Sequence, residues 1–337
     1  MKDHKRYKRL LPLLIILPFV LAIVSIGIGT YYVNPIDVLK VLCNNIFQTK
    51  LEVSLVANVV VMDIRLPRII LGILVGAGLS VAGVAYQSVF SNPLTSSDTL
   101  GTSAGAGFGA ALCILLGAST ITTSIVAFGF GLLSVFITFL VSKTKRGKNL
   151  VMLLLSGMVV ASIFSAGLSF IQLVADKDNV LPEITFWLMG SLSKASITTV
   201  LISLPIFIIC MFVLYLLRWR LNVLSLNEIE AKSLGMDVKK IRIIVIVVST
   251  FITALAVSLC GIIGWVGILV PHITRMLFGN NNRYVVPASM FVGAIVLLIM
   301  DMLARTIAVG ELPLSILTAF VGGPIFIILL RKTGGVR

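Results

Sequence analysis

Charge is scarce in this chain of 337 residues: 12% of positions are Asp, Glu, Lys or Arg, against 58% that are hydrophobic. Soluble globular domains carry about 25% charged and about 45–50% apolar residues. So much apolar surface cannot be covered by water, which excludes a soluble enzyme, and intrinsic disorder needs the opposite balance. Cysteine is sparse as well. Cys43, Cys113, Cys210 and Cys260 lie far apart, with no CxxC and no metal-type spacing, so they imply neither a disulfide framework nor zinc and read as small packing residues. No GxxxxGK[ST] occurs: Gly147-Lys148 lacks both the earlier glycine and the Ser/Thr, so the chain does not hydrolyse ATP itself. There is no HExxH and no nucleophile–base pair, and His272, alone in an apolar stretch, reads as a packed or capping residue. No cofactor and no metal site follow from the sequence.

What is present is long apolar runs, with a mean hydropathy of +1.11. The run from Leu10 to Val33 is too long for a signal-peptide core and is read as a retained helix. Uncharged stretches follow at about 69–90, 99–117, 119–141, 150–174, 197–217, 243–262, 264–278, 284–304 and 313–330. These ten segments, several of them short, predict an all-α polytopic membrane protein with ten transmembrane helices in one domain, residues 1–337.

Ten alternating spans place both termini on one side. Twenty of the 27 Lys and Arg fall on that side, in the N-terminal tail, at 143–148, between Arg218 and Arg242, at Arg275 and Arg283, and at the C-terminus. The opposite side holds seven: Lys40, Lys50, Arg65, Arg68, Lys177, Lys194 and Arg305. The bias predicts cytoplasmic termini. The formal charge of +14 is therefore topology and no sign of nucleic acid. Inside the spans ionisable groups are almost missing, apart from Asp301, four residues before Arg305 and spaced to pair with it. Ion-driven carriers use such groups to bind the driving ion or relay its proton. Their scarcity means that energy for uphill movement must come from a partner.

One polar loop is patterned to receive it. In Trp219 to Val238, Leu221, Leu224, Leu226, Ile229 and Leu234 recur at near-helical spacing, with Gly235 as a stop. Asn227 is spaced to cap a second short helix with Glu228 and Glu230 in its first turn. Two short amphipathic helices would rest on the membrane surface or dock into a soluble subunit.

At these residues the chain resembles the permease subunit of a type II ATP-binding-cassette importer, of the family that takes up iron-siderophores, haem and cobalamin. The resemblance runs from about Arg65 to Lys332, on RLPR (65–68), NPL (92–94), LGTSAGAGFGA (100–110), FWLMGSL (186–192), AKSLGM (231–236), GWVGILVPHITR (264–275), LART (303–306), ELP (311–313) and GGPIF (322–326). It implies the ten-helix fold of the cobalamin importer permease, in the cytoplasmic membrane of a bacterium. Its implied partners are a second permease subunit, identical or paralogous, a cytoplasmic ATPase dimer, an extracytoplasmic substrate-binding protein and membrane lipid. In such proteins the arginines matching Arg65, Arg68 and Arg305 receive acids of the binding protein; headgroup anchoring, or pairing of Arg305 with Asp301, are the local alternatives. The loop at 221–236 matches the coupling helices, with Leu234 and Gly235 matching directly, and Leu221, Leu224, Glu228, Glu230, Ala231 and Met236 completing the expected contact. Asn92 and Leu94 match a constriction of the pathway, where Pro93 alone also accounts for a helix break; a second constriction maps near Leu150 and Val151.

For the pathway the spacing speaks. Ser162, Ser165, Ser169 and Gln172 recur at intervals that place them on one helix face, which is a wetted wall or a small-residue packing seam. Gly101, Gly105 and Gly109 read as close packing. A long helix followed by a short Gly/Pro-interrupted one occurs at 69–117 and again at 243–279, as in repeated transporter halves. The cargo expected from FWLMGSLS is an iron-siderophore, with haem and cobalamin as alternatives. The rival classes are an ion-coupled carrier and a membrane enzyme or scaffold.

Overall fold

The computed structural model describes residues 2–29, 31–49, 51–143, 150–226, 228–308 and 310–334. Most of the basic loop at 143–148, together with Asn227, lies outside the described residues. The described chain is helical, with no strand among the described residues. In order it forms α1 (Lys2–Gly27), α2 (Pro35–Phe47) and α3 (Leu55–Val59), then a π-helical segment (Val60–Arg65) that leads into α4 (Leu66–Phe90). Next come α5 (Thr102–Leu115), α6 (Thr120–Val141), α7 (Leu150–Val174), α8 (Val180–Leu188) and α9 (Ile197–Leu216). The chain ends with α10 (Arg218–Leu224), α11 (Glu228–Ser233), α12 (Val238–Cys260), α13 (Val266–Phe278), α14 (Asn282–Thr306) and α15 (Leu314–Gly334).

Each of the ten apolar segments is a helix. Among the described residues, seven are long and apolar enough to cross a membrane, and the three shorter apolar ones are Thr102–Leu115, Val266–Phe278 and Leu314–Ile328. The first span ends at Gly27, six residues before the expected boundary. The stretch from Asn34 to Met62, outside the ten apolar runs, holds α2, α3 and part of the π-helical segment.

The bundle is built around α4, whose apolar window is 89% buried, whereas those of α1, α6, α7 and α9 are 17–28% buried. α4 enters through the π turn, where the Leu66 N–H reaches the Val61 carbonyl. Pro67 has no N–H to give, and the widened turn accommodates the break in the ladder. Small residues then let neighbouring backbones close on α4. A Cβ added at Gly83 would lie 1.9 Å from the Gly267 carbonyl oxygen of α13, and one at Gly76 would lie 2.4 Å from that of Gly293 in α14. Membrane helices associate through such contacts because lipid supplies no hydrophobic drive. Gly83→Val is therefore expected to push α13 off α4 and cost at least about 2 kcal/mol; a wild-type yield of monodisperse protein in detergent would contradict this.

At the end away from the basic loops, α8 and the start of α9 are laced to the rest. The Ser191 N–H donates to the Cys260 carbonyl at 2.7 Å, and the Leu314 N–H donates to the Gly190 carbonyl at 2.9 Å. Gly261, at φ +70, brings α12 against the Trp187 carbonyl, where a Cβ would lie 2.1 Å away.

Candidate functional site

The expected site residues fall into three groups, one at each end of the bundle and one along its side. At the far end, α4, α14 and the loop after α14 bring five ionic groups together. Arg68 Nε meets Asp301 Oδ1 at 2.7 Å and its Nη1 meets Glu311 Oε1 at 2.6 Å. Arg305 Nε faces Asp301 Oδ2 at 3.1 Å, the spacing-predicted pair, and its Nη1 donates to the Ile28 carbonyl at 3.1 Å. Arg65 donates to the Ile26 and Tyr31 carbonyls. All three guanidiniums are buried, at 4% (Arg65), 3% (Arg68) and 5% (Arg305) exposure. The resemblance implies cations that receive a partner's acids, with headgroup anchoring or an Arg305–Asp301 pair as the local alternatives. In this conformation they are turned inward: Arg68 by Asp301 and Glu311, over two hundred residues away in sequence, Arg305 by Asp301, and Arg65 by the Ile26 and Tyr31 carbonyls. Three cations face two carboxylates, so the cluster keeps one surplus positive charge while pinning α1, α4 and α14.

At the basic end the predicted pair of short helices is present as α10 and α11. Their faces divide the expected contact residues. Leu221, Leu224 and Ala231 are buried in the chain's own core, and Met236 packs against it. Ile229 and Leu234 stand out at 73% and 59% exposure, with Leu226 and Trp219 about half exposed. Glu230 is exposed, and Gly235 closes α11 at φ +74. The Glu228 side chain lies outside what is described. Thus Leu221, Leu224 and Ala231 support the platform, and Ile229 with Leu234 forms its outer surface.

Along the side, Ser162, Ser165 and Ser169 are exposed and Gln172 is half-buried on α7. Ser162 donates to the Met158 carbonyl and Ser169 to the Ser165 carbonyl, so these hydroxyls are satisfied within their helix and leave their lone pairs to the surroundings. Apolar Ile163, Phe170 and Leu173 share the uncovered part of α7. Asn92 Oδ1 accepts the Leu94 N–H at 2.9 Å and Gln87 Nε2 donates to the Pro93 carbonyl at 3.0 Å, so the turn after α4 is braced from both sides while Leu94 stays 56% exposed. Val151 is likewise exposed.

Two features escaped the sequence reading. A cavity of about 860 Å³ opens at the far end between the starts of α6, α8 and α9 and the end of α12, with Ser124, Ser196, Thr199, Glu183 and Lys194 among its lining. It shares no residue with the α7 serine face. The other is Asp98, in the loop before α5, whose Oδ1 accepts the Ser103 N–H at 2.5 Å. Burial pushes this carboxyl above the usual carboxylate range, partly offset by the Ser103 hydrogen bonds. An acid with a raised folded-state pKa ionises first in the unfolded chain, so stability falls as pH rises from its ordinary value through its folded one. Asp98→Asn keeps the acceptor and removes that loss. It is expected to melt a few degrees higher than the parent at neutral pH, with the gap closing in acid. A pH-independent gap would contradict the assignment.

Among the described residues, an all-helical bundle with seven spanning-length helices, three short apolar ones and an amphipathic platform at its basic end is a multi-pass membrane protein in class. The comparisons with known proteins agree. The profile of the FecCD transport family matches residues 14–332. The molybdate import system permease MolB of Haemophilus influenzae is 40% identical over 328 residues, 97% of this chain and 96% of that protein. A Helicobacter pylori protein named as an iron chelatin transport system permease is 38% identical over 283 residues, 83% of this chain and 84% of that one. A solved structure described as an inward-facing conformation of a metal-chelate type ABC transporter superposes with a TM-score of 0.86 at 37% identity, covering 96% of this chain and 99% of that one. The chain belongs to the FecCD transport family of ABC transporter permeases.

Proposed function

We propose that the chain forms the transmembrane half of a bacterial importer, in the cytoplasmic membrane with both termini in the cytoplasm, and that it pairs with a second permease subunit across the uncovered face of α7. A separate ATPase dimer grips the α10–α11 platform. The observation that carries this reading is the platform itself: two short helices whose inner leucines are buried while Ile229 and Leu234 face outward on the most basic end of the molecule. An extracytoplasmic binding protein delivers cargo to the far end. There the surplus charge of the Arg65, Arg68 and Arg305 cluster attracts acidic side chains, and direct pairing requires a guanidinium to exchange Asp301 or Glu311 for an acid of the partner. The exposed apolar faces of α6 and α9 suit lipid.

The cargo is a metal-bearing species. A ferric siderophore is the reading carried by FWLMGSLS, and the 38% identity to the iron chelatin permease supports it. Molybdate is the second reading, favoured by the 40% identity to MolB over nearly both full lengths. Uptake of radiolabelled ferric hydroxamate and of molybdate by cells lacking and regaining this chain decides between them. Restoration of one only assigns it. Restoration of neither, with the ATPase and binding protein expressed, overturns both readings.

A further inference from the structure

We propose that Asn222 is a positioning residue that ties the α10–α11 platform to the central helix α4 through Asn282 and Ser88. The proposal rests on the reading of that platform as the ATPase contact. Asn222 sits on α10, and its amide engages the start of α14 twice. Its Nδ2 donates to Asn281 Oδ1 at 2.9 Å, and its Oδ1 accepts the Asn282 backbone N–H at 2.7 Å. The first turn of a helix has N–H groups without intrahelical partners. Asn281 takes that of Arg283 at 3.0 Å, and Asn222 takes that of Asn282, so α14 is capped in part by a side chain sixty residues earlier in sequence.

The connection continues inward. Asn282 is 1% exposed, and its Nδ2 donates to Ser88 Oγ at 3.0 Å. The Ser88 hydroxyl in turn donates to the Val84 carbonyl at 2.8 Å. A continuous run of donors and acceptors therefore leads from α10, through the first residue of α14, into the last turns of α4. One residue before Ser88, Gln87 holds the Pro93 carbonyl, which places the Asn92–Leu94 turn at the end of the run.

The leucines beside Asn222 transmit pressure without fixing a register, because apolar contact is non-directional. An amide held at both its ends fixes one relative position of the two helices. The run is also incompletely satisfied, since Asn282 Oδ1 is buried with no hydrogen-bond partner. An unmet buried acceptor weights against the arrangement that contains it. That is the property a junction needs if it is to exchange between two settings as the platform moves.

The test uses the full complex of chain, ATPase and binding protein in proteoliposomes, with ferric hydroxamate and molybdate assayed in parallel. The quantity read is cargo moved per ATP hydrolysed. Asn222→Leu is expected to lower it at least about fivefold with the ATPase still co-purifying. Ser88→Ala, at the far end of the run, should do the same. Asn222→Asp, which keeps the acceptor for the Asn282 N–H but loses the donor to Asn281, should fall between the parent and Asn222→Leu, and it decides the matter together with Ser88→Ala if the leucine variant fails to fold. An unchanged ratio in Asn222→Leu, or uncoupling in Asn222→Leu without uncoupling in Ser88→Ala, overturns the relay. Loss of the ATPase from Asn222→Leu alone overturns it too, by making Asn222 a contact residue. Failure of the unsubstituted chain to hold the ATPase is a separate result and removes the proposed function itself.

Discussion

Asp301→Ala is expected to destabilise the protein by about 3–5 kcal/mol, enough to remove most of the folded material at growth temperature. The carboxylate is fully buried and serves Arg68 and Arg305 at once, at 2.7 and 3.1 Å. Removing it leaves three buried guanidiniums, two of them stripped of a partner, with Glu311 as the single remaining acid of the cluster. A buried charge stripped of its partner loses far more than the intact pair contributes, because desolvation is no longer offset. Asp301→Asn keeps an acceptor and should lose less. The double variant Arg68→Ala with Asp301→Ala should recover part of the loss, since it removes a cation along with its counter-ion. Melting followed by tryptophan fluorescence in detergent checks all three. A melting point for Asp301→Ala equal to that of the parent would show that the cluster is not a structural pillar.

The second large effect lies at the other end. Ile229→Asp combined with Leu234→Asp is expected to weaken ATPase association at least about a hundredfold, since each apolar side chain buried in an interface contributes about 1.5–3 kcal/mol. Transport should be lost with it. Both side chains are exposed in the chain alone, so yield and melting should stay at parental values. Co-purification of the ATPase on the tagged variant is the readout. Wild-type recovery would mean that the partner grips elsewhere, or that the platform lies on the membrane.

The contrast between the two ends explains what was legible in the sequence. The ten apolar segments map onto ten helices because backbone in an apolar surrounding must satisfy its own hydrogen bonds, which a single run does as a helix; seven of them also reach spanning length among the described residues. α10 and α11 were legible from the 3.6-residue recurrence of leucines and from Gly235, a position whose positive φ favours glycine. The pair Asp301–Arg305 was legible because it is spaced one helical turn apart. The partners of Arg68 were not, because Asp301 and Glu311 lie 233 and 243 residues away. Pairing at that distance has no periodic trace. The positive-inside count does not depend on such pairing, since it weighs where cations sit along the chain and not whether they face water.

Other misses had signals that went unused. α2 begins with Asn34, whose Oδ1 accepts the Ile36 N–H at 3.0 Å, followed by Pro35 and then Asp37 in its first turn. That is a helix start by its chemistry, but a helix of 13 residues is too short to register as a span. The split of the platform leucines into buried and outward faces was not readable, since spacing defines a stripe and not what covers it. Asp98 was passed over because a single carboxylate in a loop carries no pattern; its role is visible only once the Ser103 N–H is seen 2.5 Å away.

The central claim is that the chain supplies a gated route and no driving force. Purified chain in liposomes, with the binding protein and labelled cargo outside and an imposed proton or sodium gradient, is the direct measurement. The account predicts no uphill accumulation until the ATPase is present with ATP inside, and then accumulation that stops when ATP is exhausted. Accumulation by the chain and binding protein alone, driven by the ion gradient, would contradict it.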